Sequence, residues 1–164
     1  MARFVVMGVS GCGKTSVGKA LARATGLRFI DGDDLHPPAN IAKMSAGVPL
    51  DDADRAPWLA AVGRALGREA GHVAIGCSAL KRRYRDIIRG EAGEVHFLHL
   101  AAPKAVLAER VAARKGHFMP PALLDSQYAA LEPLEADETG TVLDIAQPLE
   151  AVVADAVAYV RGLI

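Results

Sequence analysis

The stretch GVSGCGKT, Gly8 to Thr15, sets glycines, a lysine and a hydroxyl at the spacing G-x-x-x-x-G-K-[ST]. Glycines at those places let the backbone turn so that successive N–H groups point inward at phosphate oxygens. Gly8, Ser10, Gly11, Cys12 and Gly13 would bind through the main chain, and Ser16 continues the loop into a helix whose positive dipole end adds to the attraction. Lys14 supplies a mobile cation for the β- and γ-phosphates of ATP, and the Thr15 hydroxyl suits Mg²⁺. Downstream, DGDDLH (residues 31–36) crowds carboxylates that would repel phosphate unless they serve a metal or an alcohol. One carboxylate can hold Mg²⁺ while another accepts the proton of an attacking hydroxyl, and Asp31 is assigned the first role and Asp33 the second. Asp34 reads as a helix cap.

Further along, AERVAARKGHF puts Arg110 and Arg114 four residues apart, on one helical face, ahead of a Gly- and Pro-bearing segment. Paired arginines there suit a lid, at about 114–122, that closes over ATP, neutralises transferring charge and keeps water out. Arg55 follows the acids of LDDADRAPWL and is open to a local ion pair or a ligand role. Ser78, Lys81 and Arg82 follow an apolar run, at a place where an acceptor could be held. His36 and His117 fall in the same loops as these groups, whereas His96 and His99, three apart in a strand, face opposite sides and cannot chelate one metal. A thiol role for Cys12 or Cys77 is weighed against a small buried or loop residue, which is the default.

These groups need a scaffold that gathers loop residues, and the apolar periodicity supplies one. Short apolar runs at 3–7, 27–30, 72–76, 95–100 and 141–145 read as strands. Between them lie helical stripes: Val17, Leu21 and Ala24 over 14–25 with Gly26 as the stop, and Leu59, Val62 and Leu66 over 54–70 with Asp51 or Asp52 as cap. Leu80, Tyr84, Ile87 and Ile88 form a stripe ended by Gly90; further helices begin at Pro103, lie near 123–131, and close the chain over 149–163. Pro37 and Pro38 read as helix stops. Five strands alternating with helices imply an α/β fold with a parallel sheet covered on both faces by right-handed crossovers. In such a sheet ligands bind beyond the C-terminal strand ends, where the chemical residues fall.

The 164 residues fit a single domain, 1–164, with no repeat, linker or low-complexity tract. Nineteen basic and nineteen acidic side chains balance, which gives no case for nucleic acid as the partner. Two cysteines suggest a reducing compartment, and no apolar run is long enough for a membrane span or a signal-peptide core, so a cytoplasmic location is expected. No strand ends in the aspartate of a Walker B motif, which argues against a motor ATPase; no N-K-x-D string argues for a guanine switch. The residues alone describe a P-loop kinase for a small acceptor.

The longer strings GVSGCGKTS, DGDDLHPPANIAKMSAGVPLDDADRAPWL, CSALKRRYRDIIR, RKGHFMPPALLDSQ and DIAQPLE, in that order over residues 4 to about 153, together resemble the small, thermoresistant type of gluconokinase. The resemblance implies transfer of the ATP γ-phosphate to the 6-hydroxyl of D-gluconate with Mg²⁺. It also implies a nucleoside-monophosphate-kinase-like sheet of strand order 2-3-1-4-5, and a homodimer. It adds Asp33, Arg55, Ser78 and Lys81 as holders of the acid, His36, Lys43, His117 and Gln127 as further candidates, and Gln147 where related kinases receive adenine. Related P-loop kinases for shikimate or a nucleotide, and a nucleotide-switch module, are the competing readings. Cys12 stands where that family often has serine, and Thr15 where serine is frequent; the first position works through backbone and the second keeps its hydroxyl.

Overall fold

The computed structural model describes residues 1–113 and 121–164. Its centre is β1 (Arg3–Met7), whose alternating side chains are buried on both faces of the sheet. Phe4 and Val6 point into one core with Val17, Leu21, Leu98 and Leu100, while Val5 and Met7 point into another with Leu59, Val62, Ile75 and Phe97. This two-sided burial explains why the strand reads as a continuous apolar run and not as an alternation. All five strands are parallel and lie in the order β2 (Arg28–Asp31), β3 (Val73–Gly76), β1, β4 (His96–Ala101), β5 (Gly140–Asp144), which is the order 2-3-1-4-5.

Helices α1 (Lys14–Thr25) and α7 (Leu149–Arg161) pack on each other and cover the first core. Helix α1 ends on Gly26 in the left-handed conformation, with its N–H on the Ala22 carbonyl. The second core lies under α3 (Asp52–Arg68) and α4 (Arg82–Ala92), which pack on each other. Asp51 caps α3 in a reciprocal capping box with Asp54, so that helix starts two residues earlier than the apolar stripe alone suggests. Helix α4 runs through Gly90 and stops at Gly93, which corrects the expected stop. Helices α5 (Lys104–Ala113) and α6 (Pro121–Ala130) flank the undescribed stretch.

One element departs from the sequence expectation in kind. A 3₁₀ turn over Gly32–Leu35 leads through Pro37 into α2 (Pro38–Ser45), so the prolines open a helix where they were expected only to end one. Pro37 occupies the cap and Pro38 the first helical position, where a missing N–H leaves no bond unmade. Strand β2 also runs one residue further than expected, making Asp31 its last residue. Among the described residues no helix is long and apolar enough to cross a membrane.

Candidate active site

The phosphate loop leaves β1 at Gly8, whose φ of 150° and tight surroundings exclude any side chain. A Cβ there would sit 2.6 Å from the Cys12 Sγ and 2.9 Å from the Leu100 carbonyl oxygen. Gly11 and Gly13 also have positive φ, at 83° and 95°, and Gly13 caps α1. Lys14 folds back over the loop, its ammonium donating to the carbonyls of Gly8 and Val9 at 3.0 and 3.1 Å. Thr15 and Ser16 are exposed in the first turn of α1. The Ser10 N–H and hydroxyl both reach the Gln127 Oε1, at 3.1 and 3.3 Å. Gln127, expected among acceptor ligands, is thus seated on the phosphate loop from α6.

Beside the loop a cavity of about 370 Å³ opens between α1, α5 and α7. Gly11, Cys12, Gly13 and Ser16 form one wall, and Arg110 and Gln147 contribute to the others. Val17, Val111, Ile145, Leu149 and Val152 supply an apolar lining that suits the flat face of a base. Arg110 donates to the Gln147 carbonyl at 3.4 Å, and the Gln147 amide donates to Asp155 at 2.7 Å, which fixes the rim.

The acids of DGDDLH lie on the same sheet edge. Asp31 pairs in register with Gly76, which in turn pairs with Val6, so only the end of β3 separates these acids from the phosphate loop. The approach is close: a Cβ on Gly32 would meet the Gly76 carbonyl oxygen at 2.3 Å. Asp31 Oδ1 accepts the Asp33 N–H at 3.0 Å and so caps the 3₁₀ turn, a role expected of Asp34. Asp33 is exposed, with no side-chain hydrogen bond among the described residues. The buried Cys77 thiol is pushed up to about 12 by desolvation, with the Lys14 charge opposing that shift and the Asp33 charge adding to it.

His36 stacks on Trp58 with ring centroids 4.1 Å apart, and the Trp58 indole donates to the Gly32 carbonyl at 2.8 Å. Burial holds the imidazole below its usual range; Asp33 opposes that shift and Arg55 adds to it. Asp33, His36 and Arg55 therefore form one electrostatic group. Arg55 donates to the Tyr84 hydroxyl at 3.3 Å and lies over its ring, and it has no ion-pair partner among the described residues, so the local ion pair considered from sequence does not form. Lys81 pairs with Asp52 at 3.2 Å, and Tyr84 donates a short hydrogen bond to the same carboxylate. Lys43 pairs with Asp54 at 2.7 Å, a contact that fastens α2 to the capped start of α3. Ser78 contributes its carbonyl, which accepts the Gly8 N–H at 3.2 Å and ties the turn after β3 to the phosphate loop. The Arg82 guanidinium is taken by Asp86, Glu135 and Asp137.

Arg114, His117 and the first part of the expected lid lie outside the described residues, while positions 121–122 of that span are already the first turn of α6. Trp58, Tyr84 and Asp52 are site residues that spacing did not reveal. Trp58 and Tyr84 stand inside the quoted strings DRAPWL and CSALKRRYRD, so those strings were the available signal. Among the described residues no three His, Cys, Asp or Glu side chains cluster to hold a metal.

Comparison with known proteins narrows what such a site serves. The shikimate kinase family model matches residues 10–144. A gluconokinase of Gluconobacter oxydans is 53% identical over 138 residues, covering 82% of this chain and 78% of its own. The thermoresistant gluconokinase of Escherichia coli is 43% identical over 162 residues, covering 96% of this chain and 93% of its own. The crystal structure of a gluconokinase from Sinorhizobium meliloti superposes with a TM-score of 0.90 at 50% identity, covering 99% of this chain and 93% of that one. The chain belongs to the gluconokinase family, within the wider shikimate kinase group of P-loop kinases whose model it also matches.

Proposed function

We infer that the protein is an ATP-dependent gluconokinase, transferring the γ-phosphoryl group of ATP to the 6-hydroxyl of D-gluconate to give 6-phospho-D-gluconate and ADP. One observation carries this reading: a phosphate loop and a group of acceptor-type residues meet at one sheet edge, in a chain about half identical to gluconokinases. The base of ATP enters the apolar cavity by Arg110 and Gln147, which leaves the triphosphate along the loop amides. Lys14 exchanges the loop carbonyls for β- and γ-phosphate oxygens. Gluconate lies over His36 and Trp58, with its terminal carbon toward the phosphate loop.

Transfer then needs positioning and charge neutralisation more than covalent help from the protein. Asp33 orients the 6-hydroxyl and takes its proton as the new O–P bond forms and the bond to the β-phosphate oxygen breaks, leaving its electron pair on ADP. Arg55 is the cation best placed for the gluconate carboxylate, because Lys43 and Lys81 are already paired with Asp54 and Asp52. The residues present fit Mg²⁺: the Thr15 hydroxyl is exposed and Asp31 keeps an oxygen beyond its cap bond, so the pair plus phosphate and water oxygens could complete its shell. Bound there, the ion would neutralise charge on the β- and γ-phosphates. The roles given to Arg114 and His117, closing charge over the phosphate and holding the acceptor, rest on sequence alone, as do the single domain with its lid, the homodimer and the cytoplasmic location.

Coupled measurement of ADP release tests the whole reading. Turnover should require both Mg²⁺ and D-gluconate, in a panel that includes shikimate, glucose and nucleoside monophosphates. ATP turnover indifferent to gluconate would defeat it, and turnover with shikimate instead would favour the name carried by the family model. Light scattering of the purified protein tests the dimer.

A further inference from the structure

The turn after β3 contains the non-glycine residue that adopts a positive φ among the described residues, Ala79 at 47°. An alanine disfavours that left-handed conformation by roughly five- to thirty-fold relative to its ordinary ones, so something must hold it. Arg85 does the holding. Its guanidinium, fully buried, donates from Nη1 to the Ala79 carbonyl at 2.8 Å. Its Nε and Nη2 are fixed by Glu138, at 2.7 and 2.9 Å, and Nη2 also by the Pro133 carbonyl at 3.3 Å. Arg89 adds a third bond to the Glu138 carboxylate at 3.0 Å. Glu132 completes the clasp, its N–H on the Leu80 carbonyl at 2.7 Å and its carboxylate accepting the Arg82 N–H at 2.9 Å.

We propose that Arg85 is a positioning residue for the acceptor: its buried guanidinium, oriented by Glu138, pins Ala79 in the left-handed conformation and so aims Lys81 and Tyr84 at the gluconate pocket. Upstream of Ala79 the chain is held independently, by Cys77 N–H on the Val6 carbonyl and by Ser78 under Gly8. Downstream, Lys81 and Tyr84 lie within five residues of it and both meet Asp52, beside Arg55. A relaxed Ala79 would therefore displace the acceptor side and leave the phosphate loop in place. A guanidinium is needed because no other side chain can serve a carboxylate in two-pronged fashion and still reach a carbonyl on its other edge.

The inference rests on the gluconokinase reading, and the test separates the two. Arg85→Lys keeps the charge but loses the fork. It should raise the KM for gluconate about tenfold while the KM for ATP stays within about twofold, because only the acceptor side moves. Adding Ala79→Gly to that variant should recover several-fold of the loss, since glycine enters the left-handed region without penalty. Parallel rises in both KM values, or a double variant no better than Arg85→Lys, would overturn the proposal. If Arg85→Lys does not fold, Glu138→Gln, which loosens the same guanidinium, should show the same split in smaller measure, and its absence is equally fatal. A wild-type protein inert toward gluconate would defeat the functional reading instead, and the split would then be read with whichever acceptor the panel identifies.

Discussion

Asp31 and Asp33 stand two residues apart, yet their surroundings differ in a way that assigns their work. Asp31 ends a strand and gives one oxygen to a backbone cap; Asp33 projects from the turn with both oxygens free of side-chain partners among the described residues. Asp33→Asn should therefore lower kcat by about 10²- to 10⁴-fold, the usual worth of a positioned base, with the Kd of an unreactive ATP analogue nearly unchanged. Loss of nucleotide affinity alone would mean that the two aspartates exchange roles. The thiols give a second expectation. Burial raises Cys12 and Cys77 above their ordinary value of 9.0, against the opposing pull of Lys14, so both stay protonated near neutrality. Activity should thus survive iodoacetamide at pH 7.5, with both cysteines recovered unmodified by mass spectrometry. Rapid alkylation of Cys12 would show a reactive loop thiol and reopen a redox role. Much of the nucleotide half was legible in the sequence, because loop spacing is a local signal that eight residues carry whole. Less of the acceptor half was legible. Asp52 meets Tyr84 across 32 positions and Trp58 meets Gly32 across 26, and nothing in either local pattern marks such a pairing.

The elements that carry the acceptor residues are joined at the first turn of α3. Asp51 accepts the Asp54 N–H at 2.7 Å, Asp54 returns the bond to the Asp51 N–H at 3.0 Å, and Lys43 of α2 leans on the same Asp54. Asp52 and Arg55 ride on that turn. Asp51→Ala should cost about 1 kcal/mol of stability, typical of a lost cap, and lower Tm by about 2–4 °C in a chain of this length. It should also raise the KM for gluconate more than that for ATP, since the turn bears acceptor residues only; a thermal melt beside steady-state kinetics reads both. An unchanged gluconate KM would mean that the turn holds its position without the cap. Boundaries such as this were partly visible beforehand. Gly26 ends α1 as expected because its left-handed cap is a local requirement. Gly90 was misread because a glycine inside a helix and a glycine after one look alike in sequence, and Gly93 lies only three residues on. Helix α2 was missed because its exposed Ile41 and Met44 form no buried stripe, its buried member being the polar Asn40, which donates to the Asp54 carbonyl at 3.0 Å.

At the scale of the molecule, two apolar cores on opposite faces of one sheet leave few charged or titratable groups inside, His99 and Arg85 among them, and these act together with partly exposed groups at the sheet's rim to set how stability depends on pH. Periodicity foresaw the parallel sheet and its two covers, while the strand order followed from resemblance, since alternation of strands and helices does not say which strands are neighbours. His99, in β4, is buried with an Nδ1 that has no partner among the described residues; burial and the nearby Arg85 charge hold it below its ordinary value of 6.5. His36 is held down in the same direction by burial and Arg55. In the unfolded chain both imidazoles protonate near 6.5, whereas the folded protein keeps them neutral to lower pH. The unfolded state then binds more protons, so stability must fall as pH drops below 6.5, by about 1.4 kcal/mol per pH unit for each proton of difference. The carboxylates act in a separate, lower window. Tyr84 and Lys81 hold Asp52 below 3.8, Lys43 does the same for Asp54, and against the opposing pull of burial the Arg85 guanidinium, the Glu135 N–H and Arg89 together hold Glu138 below 4.5. Their contribution is complete above those values and disappears as pH falls through the folded ones. Urea melts between pH 8 and pH 3.5 should therefore show two losses of stability on acidification, an early one from histidine and a later one from acids. His99→Gln should reduce the first and leave the second intact. Stability that rises between pH 7 and pH 5.5 would show that His99 finds a partner for its proton in the folded state, and would place an acidic group or ordered water beside Nδ1.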